Sequence, residues 1–268
     1  MAVHAIRFVN GSAYERYMGH WSQLVGRTFL DWLAAGPGLR WLDVGCGNGA
    51  FTELIADMAQ PIAMHGIDPS EEQLTFARER PATRQAAFAS GDAMALPFPA
   101  ARFDVTVMPL VLFFVPDPLV GIQEMRRVTR PGGLVTAYAW DMHGGGFPYA
   151  VLQQEIRALG LSLPSPPSVD ASSLDAMREL WETAGLEAIG TREIVVHRTF
   201  ASFEDYWSTV LGGPSVAPTL AALSPAEVET LTAALKRCLP MDASGRITCA
   251  ARAHAIQGRV PSSGAQAP

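Results

Sequence analysis

Between residues 40 and 140, short apolar runs alternate with longer segments whose apolar positions recur every three or four residues. The runs 40–44, 63–68, 86–90, 103–108 and 134–140 have strand length and are bounded by turn residues, the mark of buried β-strands. Segment 49–59 sets Phe51, Leu54, Ile55 and Met58 on one helical face. Other helix starts are marked by their chemistry. Ser70 with Gln73 three residues on reads as a capping box for a helix to about residue 80. Asp117-Pro118 sets a capping carboxylate before a proline at the first helical position. That helix is expected to reach about Thr129 and to be stopped by Pro131-Gly132-Gly133. Strands and helices alternating at this spacing predict βαβ units, an α/β fold and a parallel sheet.

Two segments fall outside this rhythm. Before it, Tyr14, Tyr17, Met18, Trp21, Leu24, Val25, Phe29, Trp32 and Leu33 mark one long amphipathic helix. After it come a Pro/Ser-rich loop over 163–168, a helix near 174–184 ended by Gly185, and a strand near 192–200. Ser202 with Asp205, and Ser224 with Glu227, then read as capping boxes opening two helices, and a final strand covers about 247–256. The expected organisation is an N-terminal helical lid (1–36), a main domain (37–260) carrying a helical insert at about 201–240, and a disordered tail (261–268). No internal repeat is visible.

The chain has 268 residues, 49% of them hydrophobic and 17% charged, enough apolar material for a full core. The longest apolar stretch, 105–115, contains Thr106 and Pro109 and falls short of the roughly 20 residues a membrane span needs. His4, Arg7 and Asn10 interrupt the start before a secretory apolar run forms, so a cytosolic, soluble protein is expected. With 20 basic against 26 acidic residues the net charge is −6, and no basic stripe offers itself to nucleic acid. Arg126, Arg127 and Arg130 read as a solvated helix face. Cys46, Cys238 and Cys249 form no CxxC pair, which points to reduced thiols and no metal site.

The segment that carries chemistry is Asp43-Val44-Gly45-Cys46-Gly47-Asn48-Gly49-Ala50, a strand running into a glycine-rich turn and a helix. Glycines let backbone approach a ligand where a β-carbon would collide. Gly45-x-Gly47-x-x-Ala50 also satisfies the dinucleotide fingerprint, so the glycines alone leave a nicotinamide-dependent oxidoreductase open. Asp43 argues against it, because a carboxylate at the strand end repels a pyrophosphate and attracts an ammonium. Asp68, before Pro69 at the next strand end, suits a ribose diol. Asp92, in Gly91-Asp92-Ala93 at the third, can accept from an adenine amino group. A turn cap or an Asx-turn would explain any one of these acids; three at consecutive strand ends is harder to explain so.

In these residues, together with Gly66-Ile67-Asp68-Pro69-Ser70, Leu96-Pro97-Phe98, Phe103-Asp104 and Arg130-Pro131-Gly132-Gly133, the chain resembles the class I S-adenosylmethionine-dependent methyltransferases. The likeness is greatest to the small-molecule branch with the ubiquinone and menaquinone C-methyltransferases. It implies a Rossmann-like sheet of seven strands, mainly parallel with an antiparallel last strand, and helices on both faces. It implies that Asp43 and the turn of Gly45, Cys46, Gly47 and Gly49 hold the methionine part of S-adenosylmethionine. Asp68 and Pro69 would hold the ribose, Asp92 and Ala93 the adenine, with Tyr17 and Met108 beside them. Relatives often carry polar residues just after the fourth strand. Here Met108-Pro109 and Phe113-Phe114 make that mouth apolar, so no catalytic role transfers to it.

A sulfonium is already an activated methyl donor, so methyl transfer needs positioning and exclusion of water, and no metal. A base is needed only for a hydroxyl, thiol or carbon-acid acceptor, and His143, past the fifth strand, is the candidate catalytic residue. Tyr14, Met18, Trp21, Phe113, Trp140 and Tyr206 are the candidate walls of a pocket for a small, apolar or aromatic acceptor. A non-catalytic S-adenosylmethionine-binding homologue is a third reading. The acceptor atom and the oligomeric state have no signature in the sequence.

Overall fold

The structure, a computed structural model, describes residues 15–213 and 216–262. Its strands are β1 (Arg40–Val44), β2 (Ala63–Asp68), β3 (Ala86–Ser90), β4 (Phe103–Pro109), β5 (Thr129–Trp140), β6 (Glu187–Phe200) and β7 (Ile247–Arg259). They form one sheet in the order β3-β2-β1-β4-β5-β7-β6. Strands β1 to β5 pair in parallel, and β7 runs antiparallel to both β5 and β6. Every residue of β4 is buried, as is all of β1 beyond Arg40, which is what a central parallel strand covered on both faces requires. The chain steps outward from β1 to β3 and then crosses back to β4. Its order therefore reverses between β1 and β4, and a crevice opens outside their carboxyl ends.

The helices are α1 (His20–Leu33), α2 (Ala50–Ala59), α3 (Glu71–Glu79), α4 (Pro118–Val128), α5 (Ala150–Ala158) and α6 (Leu174–Thr183). Between β6 and β7 the insert adds α7 (Phe203–Val210), α8 (Ala217–Ala221) and α9 (Pro225–Cys238). Helix α1 packs on α2 and across β6 and β7, while α4 packs on α6. The caps explain the boundaries. Asp117 accepts from Val120 N at 3.2 Å to open α4, and Ser224 and Glu227 satisfy each other's backbone N–H in a reciprocal box at α9. At α7, Ser202 accepts from Asp205 N, but Asp205 Oδ2 reaches one residue further out, to Ala201 N at 2.9 Å.

Several expectations need correction. The first helix is not α-helical throughout: residues Glu15–Gly19 form a π-helical turn that runs directly into α1, and Leu24 faces outward. Pro131-Gly132-Gly133 does not lie between helix and strand but within β5, which begins at Thr129 as soon as α4 ends. A register shift between Phe103 and Val105 on β4 accommodates the proline, which brings no N–H to the ladder. Helix α5 has no counterpart in the sequence reading. Arg126 and Arg127 are exposed on α4 as read, but Arg130 lies in β5 and not on that helix face. Arg127 pairs with Glu124 and donates to the carbonyls of Leu96 and Phe98, and Arg130 joins Arg40 on Asp104. Burial alone would raise the Asp104 carboxyl, yet the hydrogen bonds from the two arginines hold it far below the usual carboxylate range. Residues 1–14, with Tyr14, and 263–268 lie outside the described residues. Among the described residues no helix is long and apolar enough to cross a membrane, and no three His, Cys, Asp or Glu gather as for a metal ion.

Candidate functional site

The glycine turn leaves β1 at the reversal of strand order. Gly45 N and Cys46 N both donate to Ile67 O, at 2.8 and 2.9 Å, pinning the turn to the end of β2. Asp68 completes the tie: its Oδ2 accepts from Gly47 N and its Oδ1 from Ser70 N, each at 2.9 Å. Burial raises the Asp68 carboxyl, and these two N–H groups oppose the shift. The side chain stays partly exposed, so its remaining lone pairs face outward. Gly47 has φ +52°, a conformation that disfavours any β-carbon, and the direction such a carbon would take is open, with nothing within 4 Å. That opening leaves room for a ligand against the turn.

Asp43 lies beneath the turn and is fully buried. Its Oδ2 accepts from Thr52 Oγ at 2.7 Å, while its Oδ1 has no hydrogen-bond partner among the described residues. Burial pushes its carboxyl up to about 7; Thr52 opposes the shift and the nearby Asp68 charge adds to it. An unpaired buried carboxylate oxygen costs about 1–3 kcal/mol or more, and a cationic donor placed there removes that cost. Cys46 is buried, and burial pushes its thiol well up, the state of a packed turn residue and not of a nucleophile. Asp92 is exposed and accepts from Met94 N at 2.8 Å in an Asx-turn, with Ala93 beside it. Pro69 is exposed and Met108 fully buried.

Two features here have no signal in the sequence. Leu110, buried just past β4, has φ +60°, a strained conformation for a leucine, and is held by its N–H to Tyr138 O at 2.7 Å. The turn that follows sends Val111 against Gly45, where a β-carbon would come within 2.5 Å of it. The second feature is an ion-pair strap. Glu15 accepts from Asn48 Nδ2 at 2.8 Å and pairs with Arg80, which also pairs with Glu53 at 2.7 Å and donates to Asn48 O. The N-terminal segment is thereby tied to the glycine turn itself.

The candidate pocket residues that the structure describes are all buried. Tyr17 stacks on Tyr149 with ring centroids 4.4 Å apart, and Tyr149 Oη donates to Tyr17 O at 2.6 Å. Trp21 donates through Nε1 to Tyr149 Oη at 3.2 Å and stands edge-on to Trp140. Tyr206 lies 6.1 Å from Tyr149, ring to ring. Tyr149, absent from the sequence reading, is thus the hub joining Tyr17, Trp21 and Tyr206. Met18 is buried on the same N-terminal segment. Phe113 packs on Phe114 instead, and its carbonyl accepts from Ser168 N. His143 is more than half exposed, on the turn after β5, where its Nε2 meets Asp170 Oδ1 at 2.8 Å.

The family model described as "Methyltransferase domain" matches residues 42–137. Over 100 residues the chain is 40% identical to demethylmenaquinone methyltransferase of Staphylococcus aureus, a match covering 37% of this chain and 42% of the relative. The chain thus spans less than half the length of the curated relatives it matches. Among solved structures, the YcgJ protein of Bacillus subtilis superposes with TM-score 0.60 at 19% identity, over 91% of this chain and all of the other. Haemonchus contortus phosphoethanolamine N-methyltransferase 2, solved with S-adenosyl-L-methionine, gives 0.59 at 18%, over 93% of this chain and 56% of that one. The chain resembles the class I methyltransferases. Those structural likenesses carry the fold alone. The family match spans Asp43, the glycine turn, Asp68, Asp92 and Met108, and it leaves out Tyr17, Trp21, Trp140, His143, Tyr149 and Tyr206.

Proposed function

We propose that the protein transfers a methyl group from S-adenosylmethionine to a small, apolar or aromatic acceptor. The observation that carries this reading is the unpaired, buried Oδ1 of Asp43 beneath an open glycine turn whose amide is fixed by Asp68. Asp43 would take the ammonium of the methionine part, Asp68 the ribose hydroxyls, and Asp92 with Ala93 the adenine. A pyrophosphate finds no such fit, because the Asp43 carboxylate would repel it. The bound donor supplies a methyl group already activated on a sulfonium. The chain's own residues then orient and enclose: Met108 lies at the crevice, while Tyr17, Trp21 and Trp140 form an aromatic wall that excludes water. For an acceptor that must lose a proton, His143, oriented by Asp170, is the base on hand. The relative named for demethylmenaquinone supports an apolar, aromatic acceptor, as does the apolar Phe113-Phe114 mouth. The fold and the absence of a basic stripe support action on small molecules rather than nucleic acid.

The reading is tested by incubating the protein with methyl-labelled S-adenosylmethionine and a fractionated cell extract. Label is expected in the small-molecule fraction; label confined to protein or nucleic acid would overturn the acceptor class. Asp68→Ala is expected to weaken S-adenosylmethionine binding by about 1.5–3 kcal/mol, the range for hydrogen bonds to a charged group. Affinity within a factor of about two of the parent, well under 1 kcal/mol, would remove Asp68 from the ribose site.

We further propose that residues 15–33 act as a lid. The Glu15 strap and the Tyr17–Tyr149 stack join this segment to both the turn and the aromatic cluster. Hydrogen exchange over these residues is expected to slow when S-adenosylhomocysteine binds, because ligand in the cradle stabilises the strapped state. Equal exchange with and without ligand would leave the segment as plain core.

A further inference from the structure

Resting on the methyl-transfer reading, we propose that Arg198, Tyr149 and Tyr206 form an anion-accepting subsite, and that the acceptor is a planar apolar molecule bearing a carboxylate or another anionic oxygen. Arg198 comes from β6, far outside the matched methyltransferase segment. Its guanidinium lies 4.4 Å from the Phe200 ring centroid, and that ring packs edge-on to Tyr206 at 5.2 Å. Among the described residues no carboxylate lies within ion-pair distance of Arg198. Asp205, which acts on it electrostatically, is engaged in capping Ala201 N. Nη1 of Arg198 donates to Arg16 O at 2.8 Å and Tyr17 O at 3.4 Å. The Nε and Nη2 edge, which has the fork geometry that matches a carboxylate, remains unpaired among the described residues.

A second unsatisfied group packs on the same Phe200 ring. Tyr206 is fully buried and its hydroxyl has no hydrogen-bond partner among the described residues. Burial pushes that hydroxyl well up, and Cys249, Tyr149 and Tyr17 act on it electrostatically in the same direction. Arg198 acts in turn on Tyr149 and Cys249. A partly exposed guanidinium edge and a buried hydroxyl, both unpaired among the described residues, therefore flank one aromatic cluster. A neutral hydrocarbon would leave both unpaired, whereas an anionic oxygen on a flat body satisfies both.

Tyr17 lays a flat ring on Tyr149 and brings a carbonyl oxygen that takes both the Tyr149 hydroxyl and Arg198. The fit is close: a β-carbon on Gly213 would come within 2.6 Å of the Tyr17 ring.

The test compares 2-naphthoate with its neutral isostere 2-naphthamide, by calorimetry on the full chain saturated with S-adenosylhomocysteine. The naphthoate is expected to bind about tenfold or more tighter, a charge-assisted against a neutral contact. Arg198→Gln is expected to erase that preference, and Arg198→Lys to keep part of it. Tyr206→Phe is expected to weaken naphthoate binding while melting no lower than the parent, since it removes a buried unpaired hydroxyl. Equal binding of the two probes, binding of neither, or a preference that survives Arg198→Gln would overturn the proposal. Should Arg198→Gln not fold, the lysine and phenylalanine variants decide: loss of naphthoate affinity in Tyr206→Phe supports the subsite, and unchanged affinity in both overturns it. Titration of S-adenosylhomocysteine into the same samples separates the two readings. If it binds and naphthoate does not, only the subsite fails; if it does not bind, the methyl-transfer reading itself fails.

Discussion

Gly47→Val is expected to abolish detectable S-adenosylmethionine binding while leaving a folded protein. Two effects combine. At φ +52° a β-branched residue is strained by about 1–2 kcal/mol, which lowers the melting temperature by only a few degrees in a chain of this size. The larger effect is on the ligand, because the side chain would fill the open space that the turn presents. The Gly47 amide is also the group that Asp68 fixes, so any backbone adjustment that relieved the strain would move the ribose acid as well. An affinity loss of about a hundredfold or more, roughly 3 kcal/mol, is expected by calorimetry, with circular dichroism and melting as the control on folding. Retained binding would mean that the ligand does not approach this turn.

The second large effect is on pH dependence and comes from Asp43. Burial pushes its folded carboxyl up to about 7 from an ordinary 3.8, so the folded state favours the protonated form. The sign follows by linkage: the unliganded protein is most stable below pH 4 as far as this group is concerned. It loses about 4 kcal/mol as pH rises from there through 7. A ligand cation reverses the preference by pairing with the ionised carboxylate. Below pH 7 the ligand must displace a proton to bind, so affinity is expected to fall by up to about tenfold per pH unit, and to level off above 7. Asp43→Asn is expected to flatten that profile, weaken S-adenosylmethionine at pH 8, and raise the melting temperature of the unliganded protein there. A pH-independent affinity in the parent between pH 6 and 8 would show that Asp43 does not pair with the ligand.

What the sequence disclosed was local in character. The bounds of β1, β2 and β3 follow from apolar runs cut off by glycine and proline, and Asp43, Asp68 and Asp92 are conspicuous because each stands at such a cut. What it concealed depends on contacts between distant residues. Thr52, the partner of Asp43, lies only nine residues on, in the first turn of α2, but the Glu15–Asn48 and Glu15–Arg80 ties span 33 and 65 residues. Tyr149 reaches Trp21 across 128 residues, and Arg198 reaches Arg16 across 182, so no window of sequence contains either pair. The strain at Leu110 is invisible for another reason: nothing in Pro109-Leu110-Val111 asks for a left-handed backbone, and the neighbouring strand imposes it through Tyr138. Pro131 misled because a proline after a helix usually marks a stop, whereas here a register shift on β4 lets it enter the strand.

The central claim is that the glycine turn, Asp43 and Asp68 form a site for S-adenosylmethionine and not for a dinucleotide. Titration calorimetry of the full chain with S-adenosylmethionine and with NAD, side by side at pH 8, tests it most directly. The account predicts saturable one-to-one binding of S-adenosylmethionine, lost in Gly47→Val, and no measurable heat from NAD. Binding of NAD with S-adenosylmethionine inert would contradict it.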